Sequence, residues 1–254
     1  KRSPVAWVTD LVKDTIIKTV KDLDEVTKTI TETVLNRLKS VTINALETLQ
    51  EMSVATSGVA RTAIRMADES GTDVLTAGQR LLTSGIRNAS ETTRGAIQSM
   101  GALASGIIQG VGDVGADVEA AAGRLAGGAV SATADVGGNL ARVAEETVRG
   151  IVRGAATTNI EIVRAAEAAV RGAVQAGADS GGDLGQTAVG AVQGALSAAE
   201  ALGLDAARIL RAALTTAVDV ATGVSAETAT RVRQALIESV KGASEVFEGG
   251  PEKG

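Results

Sequence analysis

The chain has no cysteine, no histidine and no tyrosine, and one tryptophan and one phenylalanine among its 254 residues. Without cysteine there is no disulfide framework and no thiolate nucleophile. Without histidine there is no side chain that ordinarily exchanges protons near neutral pH. With so few aromatics, a core of the usual globular kind lacks its largest contributors of buried area. Proline is nearly missing too. Pro4 and Pro251 are the only two, and they bracket everything between them. A proline inside a helix costs about 3 kcal/mol, so that interval is free to be helical. The net charge of -5 gives no basic footprint for nucleic acid. Nothing at the start has the charged, apolar, small-residue layout of a signal peptide.

Alanine, glycine and valine fill the space these absences leave. Four phrases open on a glycine 22 residues after the last: Gly106-Ile107-Ile108-Gln109, Gly128-Ala129-Val130-Ser131, Gly150-Ile151-Val152-Arg153 and Gly172-Ala173-Val174-Gln175. Halfway between them lie Asp117-Val118, Asn139-Leu140, Glu161-Ile162 and Asp183-Leu184, so the underlying period is 11. Counted from Trp7, 22 units run without insertion to Glu248, with a short tail at residues 1–6 and another at 249–254. Within this one region, residues 95–203 are rich in Gly and Ala and poor in charge.

Eleven residues make three helical turns, so each position keeps its place around a helix. Positions 9, 2, 6, 10 and 3 fall side by side on one arc. Of the 110 residues in these columns only Arg37 and Glu119 are charged, where the chain average of 22% would give about 24. The columns therefore predict a contact stripe. Its centre is small: Ala67, Gly78, Ala89, Ala144, Ala155, Ala166 and Gly177. Its shoulder is bulky: Leu75, Ile86, Ile97, Ile108, Val130, Val152, Val163, Val174, Leu196 and Val218. A small centre between larger shoulders lets two backbones approach, as do the small-xxx-small pairs Gly106/Gly110, Gly150/Gly154 and Gly190/Gly194. The opposite face carries charge, with the pairs Arg65–Glu69, Arg87–Glu91 and Arg142–Glu146 four residues apart.

The expected fold is all-α, a very long amphipathic helix or a few long antiparallel helices, straight or in a right-handed supercoil, and oligomeric. Gly127-Gly128, Gly137-Gly138 and Gly181-Gly182 are the candidate breaks. A turn usually consumes extra residues and resets the phase. The phase survives all three pairs, which favours continuous helix, with antiparallel hairpins as the alternative. Fully extended, the chain would reach about 360 Å at 1.5 Å per residue. Each glycine in a helix costs about 1 kcal/mol against alanine, so the stripe must be buried against something to offset them.

This frame resembles that of right-handed coiled-coil stalks such as tetrabrachion in period and aliphatic stripe. More distantly, it is similar to group 3 late-embryogenesis-abundant proteins and to apolipoprotein- and synuclein-like lipid-surface helices. The first resemblance implies oligomeric rods, sometimes with an apolar lumen. It carries over no functional residue.

The remaining motifs read as surface or frame. Gly110-Val111-Gly112-Asp113-Val114-Gly115 spells a dinucleotide fingerprint, but no strand precedes it. Residues 95–112 lack charge over the minimum length for a membrane span, yet hold Gln98, Ser99, Ser105 and Gln109. Asn88-Ala89-Ser90 is a glycosylation triplet, and Asp22-Leu23-Asp24-Glu25 lacks the spacing of a calcium loop. No catalytic, cofactor-binding or metal residue is predicted, and no nucleic acid or small-molecule substrate. The expected function is a structural scaffold forming an elongated helical homo-oligomer. The alternative is a coat on lipid, membrane or granule surfaces, in the role of an apolipoprotein or phasin. A third reading is a stress-protection protein that stays disordered until dried.

Overall fold

Gly71, Gly115, Gly137, Gly181 and Gly203, each followed two positions later by an acid or amide and standing 22 or 44 residues apart, turn this chain. The computed structural model describes residues 46–88, 94–158 and 161–249, and these are helical with short connections. Ten helices follow in order. They are α1 (Leu46–Glu69), α2 (Val74–Asn88), α3 (Arg94–Asp113), α4 (Val118–Asp135), α5 (Leu140–Ala155), α6 (Ile162–Asp179), α7 (Leu184–Ala201), α8 (Ala206–Val224), α9 (Ala226–Ser239) and α10 (Ala243–Glu248).

The turns explain the lengths. Gly71, Gly115, Gly137, Gly181 and Gly203 all have φ between 65° and 72°, the left-handed region that ends a helix at little cost only for glycine. Around Gly137 the amide of Gly138 reaches back to the Thr133 carbonyl at 2.9 Å, and the amide of Gly137 to Ala134 at 3.0 Å. That is the pair of bonds by which a Schellman turn satisfies the last carbonyls. The same longer bond recurs as Thr72 to Ala67, Ala116 to Val111 and Leu204 to Ala199. Two residues after each glycine stands the next N-cap. Asp117, Asn139, Asp183 and Asp205 accept from the amides of Ala120, Arg142, Gln186 and Arg208 at 2.9–3.0 Å. A helix of about 18 residues plus a four-residue turn makes the 22-residue period.

The long continuous helix expected from the sequence is therefore corrected. Gly137-Gly138 and Gly181-Gly182 are turns, whereas Gly127-Gly128 lies inside α4. The phase survives because the turn is counted inside the repeat rather than added to it. The last full turn departs from this plan. Ser225, in extended conformation, ends α8 and caps α9 through the Thr228 amide at 3.0 Å.

Helices α1 to α8 each pack most heavily on a second neighbour, whereas α9 packs most on α8. One layer stacks α1, α3, α5, α7 and α9, and the other stacks α2, α4, α6 and α8, with α10 against the last turn of the stack. The core between and within the layers is almost wholly Ala, Val, Ile and Leu. At α9 and α10 the stack closes with polar outer faces. The single Phe247 lies under the guanidinium of Arg233 at 4.7 Å.

The stacking has one register. A methyl group at Gly106 would collide with the carbonyl oxygen of Ser57, at Gly150 with that of Gly101, at Gly172 with that of Gly123, and at Gly190 with that of Ala141. Each partner lies 49 residues earlier. Gly154 and Ser105 repeat the offset, with the hypothetical methyl 2.6 Å from the carbonyl oxygen. A constant offset means that helices within a layer run parallel. The small-xxx-small pairs bring backbones together, but within one chain.

Candidate functional site

The stripe residues named from the sequence lie mostly in the core. Ala67, Ile108, Val130, Ala144, Val152, Ala155, Ala166 and Val174 are fully buried, and Ile86 nearly so. Gly78 and Gly177 are buried too. Leu75, Val163, Leu196 and Val218 are half-buried against the same core. Ala89 and the side chain of Ile97 lie outside the described residues, as do Ser90 and the acidic run Asp22–Glu25. The stripe is thus an internal packing surface over the described helices. The large apolar side chains left exposed are scattered: Val54, Val136, Leu202 and Val224. No described helix is long and apolar enough to cross a membrane.

Charge is organised across helices rather than along them. Arg61 forms a two-pronged pair with Asp113, from α1 to the end of α3. Arg87 meets Asp135 at 3.1 Å, from α2 to α4, where the sequence pattern pairs it with Glu91. Glu91 itself lies outside the described residues. Arg149 holds Glu145 and Glu146 on its own helix and donates to Ser197 Oγ on α7 at 3.0 Å. Glu146 therefore pairs with Arg149 at 2.9 Å, not with the Arg142 of the sequence pattern. The signal for this triad was the run Glu145-Glu146-x-x-Arg149, whose spacings of three and four put all three on one face.

Two of these groups are perturbed in opposite senses. Hydrogen bonding to the Arg61 side chain holds the Asp113 carboxyl below the usual range, against some desolvation. Burial pushes the Glu146 carboxyl up, and the Arg149 charge only partly offsets it. The Glu146 side chain is 15% exposed, the least of the paired acids.

Small residues on the helix backs open two grooves, one on each outer face. The first lies over α3, between walls from α1 and α5, and encloses about 400 Å³. Gly101, Ala102, Ser105 and Gln109 form its floor, Ser53, Ser57 and Arg61 one wall, and Glu146, Arg149 and Arg153 the other. The second crosses α2, α4 and α6, with Gly123, Gly127, Gly128 and Gly172 along its floor, and encloses about 650 Å³. Among the described residues no group of three acids could hold a metal ion. The fingerprint glycines have packing roles. Gly110 lies against Ile64 and the Arg61 carbonyl, and Gly115 is a turn residue. No protein-family model matches the chain, and no curated protein matches it either.

Proposed function

We propose that the protein is a non-catalytic scaffold, a stack of short helices that works through the faces it presents. One observation supports this reading above others: the stacking repeats on a single 49-residue register. Polar side chains also bridge second neighbours: Arg61–Asp113, Arg87–Asp135 and Arg149–Ser197 do so, as does Gln193 with the Ser239 carbonyl at 2.9 Å. A coat for lipid or granules needs an outward apolar stripe, and over the described helices the stripe faces inward.

Assembly of copies is part of the proposal. Along α1, the first described helix, Ala63 and Met66 are partly exposed, while Ile151 and Gly154, which hold the same places in α5, are buried. Copies meeting at that face would extend the structure into an elongated homo-oligomer. Light scattering over a range of concentrations tests this. The expected mass exceeds that of one chain and falls to it in Met66→Glu. A single-chain mass at every concentration would remove assembly from the reading.

A further inference from the structure

Ala122 on α4 and Ala166 on α6 hold one column at the centre of the core and are fully buried. The same column reaches α8 as Leu210, a larger side chain that is buried too. Among the described residues no full-length helix follows α8 in its layer. Instead the chain leaves α9 at Val240, turns at Gly242 with φ 83°, and lays α10 across the end. A methyl at Gly242 would sit 3.2 Å from Leu210 Cδ2. Val240 and Ala243 are buried, and Val246 and Phe247 pack half-exposed on the core. Helix α10 packs on α8 and α9 and touches neither α6 nor α7. It lies beyond the last pair of helices, in the path of any helix that continued the layer. Its hold is slight. A helix of six residues is not stable by itself. The chain's single phenylalanine ring lies under the Arg233 guanidinium, and the same side chain donates to the Phe247 carbonyl at 3.2 Å. Arg233 itself is exposed.

We infer that α10 is a strap that limits self-assembly: down, it closes the end of the stack, and lifted, it opens that end to the α1 face of a second copy. This rests on the scaffold reading and names what regulates its assembly. The end under α10 receives Ala243, Val246 and Phe247, so its surface is apolar. A second copy brings side chains of the same kind, the partly exposed Ala63 and Met66 of α1. Docked at the open end, its α1 would follow α9 and its α2 would follow α8, which continues both layers in chain order. The strap occupies the place that this α2 needs. With straps down, copies meet through their α1 faces and assembly closes at a pair. With straps lifted, the contact runs from the α1 face to the open end and repeats without closing. Stacked-repeat proteins need a cap with a polar outer face at such an end. Here that cap hangs on one glycine hinge and one arginine.

Sedimentation velocity of the full chain over a concentration series tests the strap. Phe247→Ser removes the ring and Arg233→Ala the grip. Both should form assemblies larger than those of the parent, still growing with concentration where the parent levels off. Glu245→Gln, exposed on the same helix, should sediment as the parent does. Melting curves show whether each variant is folded. Hydrogen exchange on the parent gives a readout that needs no variant: the α10 amides should exchange far faster than those of α8. Equal masses for the parent and both folded variants overturn the inference, as do α10 amides as well protected as those of α8. So does a Phe247→Ser chain that binds phosphatidylcholine vesicles in place of itself. Failure of the scaffold's own assembly is read separately, from the parent and Met66→Glu.

Discussion

At Gly150 the α-carbon lies so close to the Gly101 carbonyl that no side chain fits between them. Helical glycine costs about 1 kcal/mol against alanine, and here that cost is offset by backbone contact along parallel helices. Position therefore decides the sign of a glycine substitution. Gly150→Ala should destabilise the fold by about 1–3 kcal/mol through overpacking. Gly58→Ala, in α1 with nothing within 4 Å of the added carbon, should stabilise it by up to about 1 kcal/mol. Urea melts of the two variants check both signs. Glu146 gives a second residue-scale prediction. Its folded pKa lies above its unfolded one, so the folded state holds the proton more tightly. Its contribution to stability is full below the ordinary carboxylate range and is lost as pH rises through the raised value. Asp113 runs the other way: its contribution is present above the ordinary range and is lost as pH falls through the lowered value. Glu146→Gln should therefore melt later than the parent at pH 7, with the gain vanishing in acid. A parent that gains nothing relative to Glu146→Gln as pH falls would contradict the burial of this carboxyl.

At the scale of one helix and its turn, glycine followed two residues later by Asp or Asn sets the boundaries. Asp183→Ala should cost about 0.5–2 kcal/mol by releasing the Gln186 amide. Gly181→Ala should cost about 1–2 kcal/mol, because alanine is strained at φ 67°. Thermal melts compare them, and a neutral Gly181→Ala would mean that the turn is absent. These turns also show how much was legible beforehand. The all-α class, the stripe and the close approach at Gly106, Gly150 and Gly172 could be read from periodicity, because burial and backbone contact repeat with the helix. The turns could not be separated from the helix by phase alone. The column that puts Leu82, Ala104, Ala126 and Val148 in the core puts Gly71, Gly115, Gly137 and Gly181 in the turns. Counting glycine as a small apolar residue hid that alternation. The cap residues Asp117, Asn139 and Asp183 were visible at their 22-residue spacing, and joined to the preceding glycines they mark each boundary. The groove was less accessible. Arg61, Arg149 and Arg153 come from helices up to 92 residues apart, and only the stacking register brings them to one face.

For the whole molecule, the central claim is that the chain buries its own stripe by stacking every second helix. Five helices at 8–10 Å spacing make a layer about 45 Å long, far short of the extended helix that the 11-residue frame allows. The absence of native cysteine makes a direct test simple. Arg164 on α6 and Arg208 on α8 are both exposed, 44 residues apart and in the same layer. Replaced by cysteine and spin-labelled, with the labelled protein diluted into unlabelled chain, the pair reports an intramolecular distance by pulsed dipolar spectroscopy. Stacking within the chain predicts about 10–25 Å, independent of dilution. A distance near 66 Å, the span of 44 residues of continuous helix at about 1.5 Å each, or a short distance that disappears on dilution, would contradict the account.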